Sequence, residues 1–245
     1  MSRYKIFVSS LIVTGVLMQY APAQSNSPQG NGHPMSNTER LKQLHIALTK
    51  DALLEALHNP NAEVRDLAAW QLAGERGRDV IPAIVDAARI EKIPRTRINM
   101  AFALAWIGEK PGFAILNDAC NNSSLPGYLR AAAAAYLLDV SDESCFGAVM
   151  SVADMDSEPT YRNAALGLLP RFKSVSKNDS QRIYGIIVRS LTDADPTLRL
   201  GASSALVQLG TQTAIPVLRN AITSERDEVV RAQMQADLSR LQEKK

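Results

Sequence analysis

The sequence is poor in the residues that chemistry usually needs: two cysteines, three histidines and 5% aromatic residues in 245 positions. Cys120 and Cys145 form no CxxC and no other paired metal-ligand spacing. His33, His45 and His58 sit at no ligand spacing either, so solvated or capping roles are expected of them and no metal site is predicted. No Gly-x-Ser-x-Gly, His-Glu-x-x-His or phosphate-cradling glycine loop occurs. The acid pairs Asp154/Asp156 and Asp193/Asp195 fall in expected loops, where acids commonly cap the next helix. With no nucleophile set beside a base, no catalytic residue and no cofactor is predicted. Long apolar runs are missing after Met18, so no membrane span is expected in the rest of the chain.

The amino-terminal segment differs. Arg3 and Lys5 precede an apolar stretch at 6–18, and Ala21-Pro22-Ala23 follows in a small-x-small pattern. Residues 1–23 therefore read as a secretory signal peptide, because the apolar run is shorter than the roughly 20 residues a spanning helix needs. No cysteine stands near the cleavage site to carry a lipid. Residues 24–37, rich in Ser, Asn, Gly, Gln and Pro, read as a flexible linker. The expected location is exported, periplasmic or secreted. Taking Arg3 and Lys5 from the 27 basic residues leaves 25 against 25 acidic ones. A formally neutral mature chain has no surplus of phosphate-neutralising cations, which argues against nucleic acid as a partner.

What the sequence does have is self-similarity. A branched or aromatic residue followed by Arg recurs at Val64-Arg65, Leu129-Arg130, Tyr161-Arg162, Leu198-Arg199 and Val230-Arg231, with small residues three and four positions after Arg65, Arg130 and Arg199. Ile98-Asn99 is placed in the same series, with Asn99 for Arg and Phe102 for a small residue, giving spacings of 34, 31, 32, 37 and 32. The offsets return to one face of a helix. A second helix is entered at Ile81, Phe113, Phe146, Tyr184 and Ile215, each with a branched aliphatic residue or Leu three positions on. Breakers such as Gly74, Gly77, Gly108, Pro111 and Gly210 separate the two helices of each expected unit.

Asn59-Pro60-Asn61-Ala62-Glu63-Val64-Arg65 with Ala68-Ala69 and Ile81-Pro82, and Asp195-Pro196-Thr197-Leu198-Arg199 with Ala202 and Ile215-Pro216, resemble HEAT repeats of the short bacterial type also found in phycobilisome lyases. The resemblance covers residues 59–231. It implies an all-α fold, a right-handed α-solenoid of about five to six helical hairpins with capping helices. The cap hairpin is expected at 38–58, repeats at 59–223 and a last helix at 224–245. It also implies that the repeated Arg residues bind acids or carbonyls of adjoining units, with Asp195 and Asp227 as local candidates. Trp106 is expected in the core; Trp70 is expected in core or semi-buried packing, with an exposed interface anchor as the alternative. The alanine run at 131–135 reads as a close helix crossing.

Level, parallel second helices would hold Cys120 and Cys145 about 12 Å apart axially and about 10 Å laterally, so two free thiols are expected. The function expected is a non-catalytic scaffold that binds another protein or peptide on a concave ridge formed by the second helices. Five residues into each of those helices lie Asp86, Asp118, Ser151, Arg189 and Asn220. Asp154, Arg182 and Arg219 would sharpen an acidic-to-basic gradient along the ridge. The long unit places an insertion at 171–180, with Lys173 and Lys177 in a projecting loop. The alternative is a bilin-lyase-like enzyme or an accessory subunit of an exported enzyme, because lyases with this repeat attach bilins to cysteines of other proteins. That alternative rests on the fold alone.

Overall fold

The computed structural model describes residues 36–75, 77–156 and 158–243. The expected signal peptide and all of the linker before Ser36 lie outside the described residues. From Ser36 to Glu243 the described residues form helices joined by short turns, with no strand among them.

Two short helices come first, α1 (Asn37–Gln43) and α2 (Lys50–Ala56), followed by α3 (Ala62–Glu75), α4 (Ile81–Ile90), α5 (Pro94–Trp106), α6 (Lys110–Asn121) and α7 (Gly127–Asp139). Then come α8 (Phe146–Met155), α9 (Pro159–Leu168), α10 (Lys177–Ser190), α11 (Pro196–Leu209), α12 (Ala214–Ser224) and α13 (Glu228–Glu243). Local signals set the boundaries. Ser36 and Glu39 close a capping box on α1, satisfying two orphan amides of the first turn. Asp195 accepts from the amides of Thr197 and Leu198 while Pro196 takes the first position of α11, where a missing N–H costs nothing. That helix ends at Gly210 with φ 66°, a left-handed conformation that only glycine adopts cheaply.

The odd-numbered helices form one row, each packed on the next, and the even-numbered helices lie beside them, touching one another only lightly. The cause is side-chain size. Ala68, Ala69, Ala101, Ala105, Ala131, Ala133, Ala134, Ala165, Ala202 and Ser203 are buried in the odd row, and small side chains let backbones approach. Leu41, Leu53, Leu72, Ile84, Leu104, Leu116, Leu137 and Leu166 fill the space between the rows, all fully buried within one continuous cluster. At Gly112 the first turn of α6 lies directly on α5, and a Cβ there would collide with the Ala105 amide nitrogen and the Ala101 carbonyl oxygen.

Four sequence expectations are corrected by this arrangement. The unit at 94–106 is in a different register. Thr96-Arg97, Met100-Ala101 and Leu104 superpose on Val64-Arg65, Ala68-Ala69 and Leu72, all but the two Arg buried. Arg97 is therefore the repeated arginine, and Asn99 occupies an outward position. This two-residue shift moves Trp106 out of the leucine slot, which Leu104 fills, and leaves Trp106 59% exposed rather than in the core.

The third correction concerns the cysteines, and the fourth the insertion. Cys120 and Cys145 form a disulfide with a Cα–Cα separation of 6.1 Å. Level, parallel second helices would have kept them apart, but the end of α6 reaches the start of α8. Asn117 Nδ2 donates to Ser144 Oγ across the same gap at 2.6 Å. The insertion is likewise not a projecting loop. Phe172 is buried against Phe146, the amides of Lys173 and Ser174 donate to the Glu143 carboxylate at 3.0 and 2.9 Å, and Ser176 caps α10.

Candidate interaction surface

The repeated arginines form a ladder along the turns that lead from each even helix into the next odd one. Arg65 places Nε and Nη2 on the two carboxylate oxygens of Glu91 at 2.6 and 2.9 Å, while Nη1 donates to the carbonyls of Asn59 and Pro60. Arg199 repeats the geometry on Glu225, at 2.6 and 3.0 Å, with the carbonyls of Asp193 and Ala194. Arg162 pairs with Asp193 at 2.9 Å, Arg130 donates to the Cys120 carbonyl at 3.0 Å, and Arg231 lies 3.8 Å from Glu228. The structural role expected for these residues holds, but with other acids. Asp195 and Asp227 serve as helix caps instead. Bidentate hydrogen bonding to Arg65 and Arg199 holds the carboxyls of Glu91 and Glu225 below the usual range, and raises both guanidinium groups.

The residues expected on the second helices are indeed on even helices, and all are exposed except half-buried Ser151. They do not stand as a field of free charge. Asp154 and Arg189 bind each other at 2.6 Å, Arg182 binds Asp179 at 3.0 Å, and Asp86 lies 3.7 Å from Arg89. Arg219 and Asn220 lie exposed on α12 and Asp118 on α6, each on its own helix. Lys173 turns back to donate Nζ to the Pro170 carbonyl at 2.6 Å, and Lys177 begins α10.

The odd row carries a feature that the sequence reading missed. Phe102 of α5 stacks on Tyr136 of α7 with ring centroids 4.1 Å apart, and Trp70 of α3 and Trp106 meet Phe102 edge-on at 5.2 and 5.9 Å. Beside these rings runs a polar chain: Asn99 Nδ2 donates to Asp66 Oδ2 at 2.7 Å, and Tyr136 Oη donates to Asn99 Oδ1 at 3.1 Å. The signal was the spacing from the arginine. Trp70 and Phe102 both stand five residues after their Arg, once Arg97 is recognised as one.

Burial raises the Asp66 carboxyl to about 6, against the Asn99 hydrogen bond and the Arg95 charge, with Glu63 and Glu91 adding to the rise. Its Oδ1 is buried without a hydrogen-bond partner. Because the folded-state value lies above the unfolded one, the folded chain takes up this proton first, and stability rises as pH falls through 6 towards 3.8. Asp66→Asn is expected to stabilise the chain by about 2 kcal/mol at pH 7 and to remove that part of the pH dependence. Denaturant titrations of both proteins at pH 5 and 7 measure it.

The sequence pattern of HEAT repeats matches residues 51–138 and 148–239, most of the chain. The chain belongs to the HEAT-repeat family. No curated protein matches the sequence. Among solved structures, the complex of CpcE and CpcF of phycocyanin lyase from Nostoc sp. PCC7120 is similar at 19% identity and a TM-score of 0.49, covering 66% of this chain and 99% of that one. An engineered protein is similar at 18% identity and a TM-score of 0.47, covering 78% and 96%. Human deoxyhypusine hydroxylase is similar at 15% identity and a TM-score of 0.42, covering 86% and 81%. These HEAT repeats hold no helix long and apolar enough to cross a membrane among the described residues.

Proposed function

We propose that this HEAT-repeat chain is an exported, non-catalytic scaffold that binds another protein on its odd-helix face, around the aromatic cluster of α3, α5 and α7. The supporting observation is Trp106. A tryptophan 59% exposed, with Phe102, Trp70 and Tyr136 ordered around it, presents a rigid apolar anchor of the kind that dominates protein interfaces. Export is supported by the amino-terminal sequence and by a disulfide, which persists in oxidising compartments.

The alternative is a bilin-lyase-like enzyme, in which the chain itself acts on the bound partner, or an accessory subunit of an exported enzyme, in which the partner carries the activity. As an accessory subunit the chain would use the same surface. Capture of a partner from the exported fraction by the processed chain tests the reading. Trp106→Ala is expected to lower affinity at least tenfold, equal to about 1.4 kcal/mol, with little change in stability because the ring is mostly solvated. Unchanged capture by that variant removes the odd-row face from consideration. A captured enzyme whose turnover depends on the chain supports the accessory-subunit reading.

A further inference from the structure

One arginine of the ladder has a side chain with no partner among the described residues. Each turn into the odd helices from α3 onward opens with a side chain that accepts the amide two residues on: Asn59 from Asn61, Glu91 from Ile93, Asn122 from Ser124, Asp156 from Glu158, Asp193 from Asp195 and Glu225 from Asp227. Four of these six side chains are carboxylates, and three of those bind the arginine of the unit before them. Asn59 and Asn122 are the neutral ones. The arginine that Asn122 should serve is Arg97, whose side chain makes no hydrogen bond or ion pair among the described residues and whose Nε is buried.

Between the turn at 91–93 and the turn at 122–126 there is a cleft of about 140 Å³, lined by Arg97, Lys92, Asn122, Leu125, Glu91 and Asp118 among others. Both Glu91 oxygens are already held by Arg65, and Asp118 forms no ion pair with Arg97. A water takes about 30 Å³, so the space accommodates a carboxylate with its methylene. Exposed Ile90, Ile93 and Tyr128 flank the same edge.

We propose that this cleft binds an acidic side chain of the partner protein, whose carboxylate completes the Arg97 rung as Glu91 completes that of Arg65 and Glu225 that of Arg199. The inference rests on the partner-binding reading and assigns a second contact to it, on the turn edge. A fork of guanidinium donors, buried on one side and facing a cleft, is matched to a planar carboxylate in a way that Lys or a neutral group would not reproduce.

The experiment titrates the full processed chain with a hexaglutamate peptide capped at both ends, against capped hexaglutamine, by calorimetry at low salt. The glutamate peptide is expected to bind and the glutamine peptide not. Arg97→Gln removes the donor and Asn122→Glu supplies the carboxylate from within the chain; each is expected to weaken binding at least tenfold. Asp118→Asn, which removes a like charge from the cleft wall, is expected to strengthen it several-fold. Asn122→Glu is also expected to raise Tm by a few degrees as the rung closes. Equal binding by wild type, Arg97→Gln and Asn122→Glu overturns the proposal, as does equal binding of the glutamate and glutamine peptides or no binding of either. A natural partner lost on Trp106→Ala but retained on Arg97→Gln rejects the cleft and leaves the scaffold reading standing.

Discussion

Reduction of the Cys120–Cys145 bridge lowers the stability of the chain by about 3–4 kcal/mol, the loop-entropy value for a crosslink of this span. The bridge closes a separation of 25 residues, from the end of α6 to the residue before α8. Both sulfurs are buried, Cys120 fully and Cys145 to within 1%. The double substitution Cys120→Ala, Cys145→Ala is therefore expected to show the crosslink loss plus a smaller packing loss, and a lower midpoint in urea. Intact mass under non-reducing conditions is expected to be two hydrogens below that of the reduced chain. A mass equal to the reduced value, or a urea midpoint unmoved by reductant, contradicts the fold around α6 and α8.

Glu225→Ala is expected to cost about 3 kcal/mol, and Glu91→Ala a similar amount, because each leaves a guanidinium enclosed between turns without its anion. The side chains of Glu91 and Glu225 are 3% and 4% exposed, and Arg65 and Arg199 both 15%. By contrast, breaking the Asp154–Arg189 pair, 46% and 64% exposed, is expected to cost under about 1 kcal/mol. The rung contribution has a pH signature opposite to that of Asp66. Glu91 and Glu225 are held below 4.5 in the folded chain, so their contribution is fully present above that value and is lost as pH falls through the lowered folded-state range. Asp66 works the other way, between 3.8 and about 6. Chemical denaturation of Glu225→Ala and Asp66→Asn from pH 3 to 7 separates the two.

The repeat made the fold legible, since Val64-Arg65 with Ala68-Ala69 and Leu72 fixes a helix face by spacing alone. What spacing could not give was the register of the one unit where the anchor is Thr96 instead of a branched apolar residue. Placing Ile98 there displaced Trp106 and Phe102 by two positions, half a helical turn, and so hid the aromatic cluster. The disulfide was missed for another reason. Periodicity shows which residues face the core, but not how far neighbouring helices slide or splay. The expected surface residues other than Ser151 were found exposed because amphipathic helices declare their polar side. Their pairing across helices, as in Asp154 with Arg189, depends on inter-helix distances that no single helix encodes.

The uneven spacing of the two rows has a mechanical consequence. Alanines seat the odd helices against one another, while the even helices touch only lightly. Bending of the array is therefore easiest about the odd row as a pivot, with the even helices spreading and closing like a fan. The bridge from Cys120 to Cys145 ties two neighbouring even helices together, so the fan is clasped at its middle and yields on either side.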